Sequence, residues 1–171
     1  PLGGHPMCGK EQSSLFYAEA GLYQGAAFIF TPVESTTPRA RQLAQDLATG
    51  IGSVPLWLDA HQHDRWVAST SHLPYLAANA LAAVTPPEAA CLAGPGFRST
   101  TRLSPSSLPM MLDIIMTNQE NILQNLSAVQ QRLSLLSTLI SAGDEVELAK
   151  VLTDGAENYH RLVDRSSKEH T

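Results

Sequence analysis

The sequence predicts a mainly α chain in which a short α/β segment precedes an all-helical part. Three observations predict it. Up to residue 60 the pattern reads strand, helix, strand with short joints, which is the order of an α/β layer. From residue 61 onward the apolar residues follow helical spacing. Finally, Leu112, Ile115, Gln119, Ile122, Leu126, Val129, Leu133, Leu136 and Ile140 recur in alternating steps of three and four, as on a helix packed along a helical partner.

Each element has a local reason. In the opening stretch GHPMCGKE, Pro6 forces the residue before it into extended backbone, so His5 cannot lie inside a helix. Gly3, Gly4 and Gly9 permit backbone shapes that a Cβ forbids. A rigid turn displaying the imidazole is expected, with Lys10 and Glu11 close behind; an ordinary surface turn after a strand would read the same way. Residues 11–24 carry Leu15, Phe16, Ala18, Leu22 and Tyr23 at helical spacing. The run AAFIF at 26–30, stopped by Thr31 and Pro32, reads as a buried strand. A threonine caps a helix with Pro38 at an early position, followed by Leu43 and Leu47 and closed by glycines. VPLWLDA is the next strand. Three elements are too few for a complete sheet.

In the helical part, HQHDRWVASTSHLPYLAANALAAV is one long segment, and Pro74 within it predicts a kink. TPPEAACLAGPG is a break with a short helix, and FRSTTRLSPSSLPM an irregular, hydroxyl-rich loop holding Arg98 and Arg102. The long seam through Ile140 follows, and Gly143-Asp144 ends it and caps a last helix.

Composition narrows the function classes. A net charge of -5 over 171 residues argues against nucleic acid, which would need a basic face. No apolar run reaches the length of a membrane span. Two cysteines, Cys8 and Cys91, far apart and without a partner motif, point to a reducing compartment and hence the cytoplasm. The chain begins at Pro1 rather than Met, so the later part of a longer protein is expected.

Among the polar residues of the long helical segment, His63 and His72 stand nine residues apart, which in a straight helix turns their rings to different sides. That argues against a shared metal, and no Cys or His neighbour completes a ligand set. Each of the two could equally be an ordinary helix residue, and His61 reads as surface. Arg98 and Arg102 beside hydroxyl residues would suit a carboxylate ligand; solvated loop arginines would look the same.

The four stretches HPMCGKE, HDRWVASTSHLP, GFRSTTR and MLDIIMTNQE, in this order and at these distances, resemble the prephenate/arogenate dehydrogenase family over essentially the whole chain. The resemblance implies the C-terminal end of a Rossmann-like nucleotide-binding domain over residues 1–60. It implies an all-helical, substrate-binding and dimerisation domain of the 6-phosphogluconate-dehydrogenase-like type over 61–171. It further implies oxidative decarboxylation of prephenate or arogenate, in tyrosine synthesis, with hydride passed to NAD or NADP. By the same resemblance His5 is the catalytic histidine, and Arg102 holds the ring carboxylate. His63, His72, Glu11, Arg98 and Tyr75 line the substrate side. Three positions depart from the family pattern: Lys10 replaces the usual threonine, Ser99 the usual aspartate, and Tyr75 a histidine common in prephenate-using members. The Gly-rich turn that would hold the dinucleotide is not among these residues: GPGF at Gly94 lacks a third glycine and a strand before it. A different reading is a non-catalytic dimerisation or regulatory module descended from that family, although such a module needs none of His5, His63, His72 and Arg102.

Overall fold

The computed structural model describes residues 1–10 and 14–168 of the chain. Contacts gather it into two compact units, Pro1–Asn125 and Leu126–Thr171.

The first unit is organised on a three-stranded sheet in the order β1 (Leu2–Pro6), β2 (Ala27–Pro32), β3 (Val54–Trp57). β1 runs antiparallel to β2, with His5 opposite Ile29, whereas β2 and β3 are parallel and joined through α1 (Pro38–Gly50). The opening stretch is therefore a strand and not the expected turn. Its glycines serve close approach: a Cβ on Gly3 would collide with the Thr31 hydroxyl, and one on Gly4 would press into the Phe28 ring. α1 starts as the sequence indicates, with the Thr37 hydroxyl accepting from the Ala40 N–H and Pro38 in the first turn. Ala44 and Ala48 on its inner face pack on Phe30, whose ring stacks on Phe28 and tilts against Trp57. Burying Phe30, which is 3% exposed, stabilises the layer by roughly 1.5–3 kcal/mol.

The helix expected over residues 11–24 is absent from the described part of that span. Leu15–Tyr17 forms a single 3-10 turn, and Leu15 and Phe16 are almost fully exposed. Helical spacing without a surface to bury against does not sustain a helix, because packing supplies most helical stability. Lys10 pairs with Glu19 across this segment.

The kink expected from Pro74 takes the form of a widened turn. α2 (Ala60–Val67) passes into a π-helical turn, Ala68–His72, and then into α3 (Leu73–Val84), with Pro74 in its first turn. Proline has no N–H for the usual ladder and its ring would strike the carbonyl four residues back; a π turn immediately before it removes both problems. The Ser69 and Thr70 hydroxyls both donate to the Trp66 carbonyl, at 2.9 and 2.8 Å, which supplies that group with partners where the ladder shifts.

A 3-10 turn (Pro87–Leu92) leads to α4 (Pro95–Thr101), where an irregular loop was expected. The Thr100 and Thr101 hydroxyls bond back to the carbonyls of Gly96 and Phe97, so they belong to the helix and do not form an open hydroxyl cluster. α5 (Leu108–Thr117) and α6 (Gln119–Ala142) are separate helices. The periodic seam is thus interrupted at Asn118, whose backbone leaves helical geometry at φ -126° and ψ 34°.

The second unit is an antiparallel pair, the C-terminal part of α6 with α7 (Glu145–Lys168). Gly143 turns the chain at φ 65°, and Asp144 caps α7 by accepting from the Glu147 N–H, as expected. Arg132 ties the two helices together, donating to the Val151 carbonyl and the Asp154 carboxylate.

Candidate active site

Two histidines 58 residues apart in sequence meet in the first unit. His5 projects from β1 and His63 from α2, and their facing ring nitrogens, Nδ1 of His5 and Nε2 of His63, lie 2.9 Å apart. The rings are edge-on, with centroids 5.2 Å apart. The other His63 nitrogen, Nδ1, lies 2.9 Å from Oδ1 of Asp64.

His72 joins them. In a straight helix nine residues at about 100° each would place it opposite His63. The π turn between them winds through fewer degrees per residue and brings the two toward one side. The imidazole of His72 is pushed below its ordinary value by burial first, then by the charges of His5 and His63, against a smaller opposing effect of Asp64. His5 is likewise held below its ordinary value, by desolvation and then by His63. Both rings therefore favour the neutral form, the one a base requires.

One residue holds this arrangement together, and its role could not be read from the sequence. Asn118 donates its side-chain amide to the Asp64 carbonyl at 2.8 Å and, at a longer 3.4 Å, to Nδ1 of His72. Its own oxygen accepts from the Asn121 amide. The break between α5 and α6 is what turns Asn118 toward α2. Its presence in MLDIIMTNQE was the only signal.

The other expected site residues are placed differently. Tyr75, one turn beyond His72, is buried at 7% exposure. Arg98 lies on α4, and its Nε donates to the Ala93 carbonyl at 3.0 Å. Arg102 sits exposed at the C-terminal end of the same helix. Glu11 falls outside the described residues. Among the described residues no group of three or more His, Cys, Asp or Glu is arranged to hold a metal.

Residues 2–55 match the nucleotide-binding domain of prephenate dehydrogenase, and residues 59–154 match its dimerization domain. The second match alone covers more than half of the chain. The chain belongs to the prephenate dehydrogenase family. Among curated family relatives, the prephenate dehydrogenase of Bacillus subtilis is 28% identical over 153 residues, or 86% of this chain and 41% of its own length. The cyclohexadienyl dehydrogenase of Zymomonas mobilis is 30% identical over 148 residues, or 82% of this chain and 50% of its own. The chain thus spans half or less of these relatives. Two solved structures superpose closely. Prephenate dehydrogenase of Aquifex aeolicus, in complex with hydroxyphenyl propionate and NAD+, gives a TM-score of 0.82 at 29% identity and covers 94% of this chain and 58% of that one. Synechocystis arogenate dehydrogenase gives 0.79 at 28%, over 94% and 61%. The expected fold class holds: a mainly α chain in which the end of a Rossmann-like domain precedes a helical dimerisation domain.

The residues present do not fit a dinucleotide pyrophosphate. In the parallel strand-helix-strand unit that the described residues form, the turn between β2 and α1 (residues 33–37) contains no glycine and carries Glu34. Its Thr36 hydroxyl is already engaged, accepting from the Val33 N–H and donating to the Pro1 carbonyl.

Proposed function

We propose that the whole protein is a nicotinamide-dependent dehydrogenase acting on prephenate or arogenate, and that His5 is its base. In this reading the substrate ring loses hydride from its hydroxyl-bearing carbon as the hydroxyl passes its proton to His5, carbon dioxide leaves as the ring becomes aromatic, and the phenolate oxygen so formed takes a proton back. When bound, NAD or NADP would take up the hydride. The contribution argued for this chain is the proton. The single observation that carries the reading is the His5–His63 contact. It occupies Nδ1 of His5 and leaves Nε2 as the nitrogen available to a substrate, on a ring whose surroundings favour the neutral form. His72, Tyr75, Arg98, Arg102 and Glu11 are assigned to the substrate side, with Arg102 pairing with the ring carboxylate. Residues 1–60 are assigned to the nucleotide-binding domain and 61–171 to the helical one. The test is an assay of the whole protein with each substrate and each nicotinamide: reduced cofactor and aromatic product should form one for one, and no turnover of either substrate would remove the reading.

The helical domain is further proposed to form a homodimer. Leu133 and Ile140 continue the apolar seam yet are 59% and 65% exposed. Leu133→Glu should convert a sedimenting dimer into a monomer with unchanged helical circular dichroism; a wild-type monomer at tens of micromolar would contradict this.

A further inference from the structure

We propose that Asp64, acting through His63, is a positioning residue that keeps the ring proton of His5 on Nδ1 and leaves its Nε2 lone pair bare. The argument is one of hydrogen-bond polarity along three groups. A carboxylate only accepts, so at 2.9 Å from Oδ1 of Asp64 the His63 Nδ1 must carry a proton. A neutral imidazole has one proton, so the His63 Nε2 is then an acceptor. The nitrogen facing it at 2.9 Å, Nδ1 of His5, must therefore donate. The opposite order, with His63 donating from Nε2, would set the bare Nδ1 of His63 against a carboxylate oxygen, lone pair to lone pair. Only a doubly protonated His63 could donate both ways, and it would turn the outward nitrogen of His5 into a donor, useless as a base.

The frame around the relay is fixed independently of it. Asn118 holds the carbonyl of Asp64 itself, and Ala68 N–H bonds the same carbonyl from the next turn of helix. The backbone that aims the Asp64 carboxylate is thus pinned from two directions. His63 keeps only 16% of its side chain in contact with solvent, so little water competes for its nitrogens. The catalytic meaning of the polarity rests on the proposed role of His5 as base; the polarity itself does not.

That independence shapes the test. In the whole protein with ¹⁵N-labelled histidine rings, at about pH 8 and so above the ordinary histidine range, the His5 signals are assigned by their loss in His5→Asn. They should show a protonated Nδ1 and an unprotonated Nε2, the reverse of the tautomer that free neutral histidine prefers. Asp64→Asn, whose amide can itself donate to His63, should shift His5 toward the Nε2-protonated form. It should also lower turnover by about 10- to 100-fold with the Michaelis constant held, as for other residues that orient a working histidine. His63→Gln, which sets an amide oxygen near the place of Nε2, should retain the Nδ1 proton. A wild-type His5 protonated on Nε2, or an Asp64→Asn spectrum identical to wild type, overturns the inference. The wild-type spectrum decides the polarity even should a variant fail to fold, and it does so whether or not the protein turns over prephenate.

Discussion

Replacing His5 with asparagine in the whole enzyme is expected to lower turnover by on the order of 10²- to 10⁴-fold, the usual worth of a positioned proton acceptor, while the Michaelis constant changes little. Asparagine keeps a hydrogen-bonding group near the place of Nδ1 but has no nitrogen that can take a proton. The strand should survive the change. His5 is exposed at the sheet edge, and its pairing with Ile29 uses only backbone. Steady-state kinetics with purified variant checks it, and normal turnover would reduce His5 to a strand residue.

Arg102→Ala should act on the other constant. If its guanidinium pairs with the ring carboxylate, the contact is charge-assisted and contributes roughly 1.5–3 kcal/mol, so substrate affinity should fall by about 10- to 100-fold. Lysine retains the charge without the planar fork and should recover only part of the loss. Because the ring carboxylate is the group that departs, some of the effect should reach turnover as well. Cofactor affinity should not change. An exposed arginine at the end of α4 with no substrate role would leave both constants in place. The measurement is the Michaelis constant and turnover for prephenate and arogenate in the alanine and lysine variants.

The sequence carried the local elements well where a single residue dictates the backbone. Pro6 fixed His5 as extended, Thr37 and Pro38 started α1, and Gly143 with Asp144 turned α6 into α7. It carried less where distant groups decide. Nothing in residues 1–10 or 60–72 states that His5 and His63 meet, because β1 and α2 are brought together only by the sheet. The helical angle between His63 and His72 misled for a physical reason: hydroxyls and a proline favour a π turn, and one such turn redirects every side chain after it. The seam from Leu112 to Ile140 ran through Asn118 without a flaw in its spacing. The backbone breaks there and the Asn118 side chain reaches α2, a tertiary contact that periodicity does not register. Residues 14–24 failed in the opposite direction, with helical spacing and no surface to pack on. The sequence put Arg98 in a loop because serines and threonines suggested one, whereas two of those hydroxyls bond back within α4; Arg102, just past the helix, lies in the turn the sequence indicates.

The pH dependence of kcat/KM, wild type against His5→Asn, tests the central claim most directly. The titratable groups near His5 are His63, in contact with it, and His72, which feels its charge. Desolvation and then His63 hold its folded-state pKa below the ordinary histidine value of 6.5, so the neutral base is lost only as pH falls through that lowered value. The wild-type profile should accordingly be flat near neutrality and fall on the acid side with a midpoint below 6.5. The residual activity of His5→Asn should lack that fall. A midpoint above 6.5, or an acid limb unchanged in the variant, would contradict the assignment of His5 as the proton acceptor.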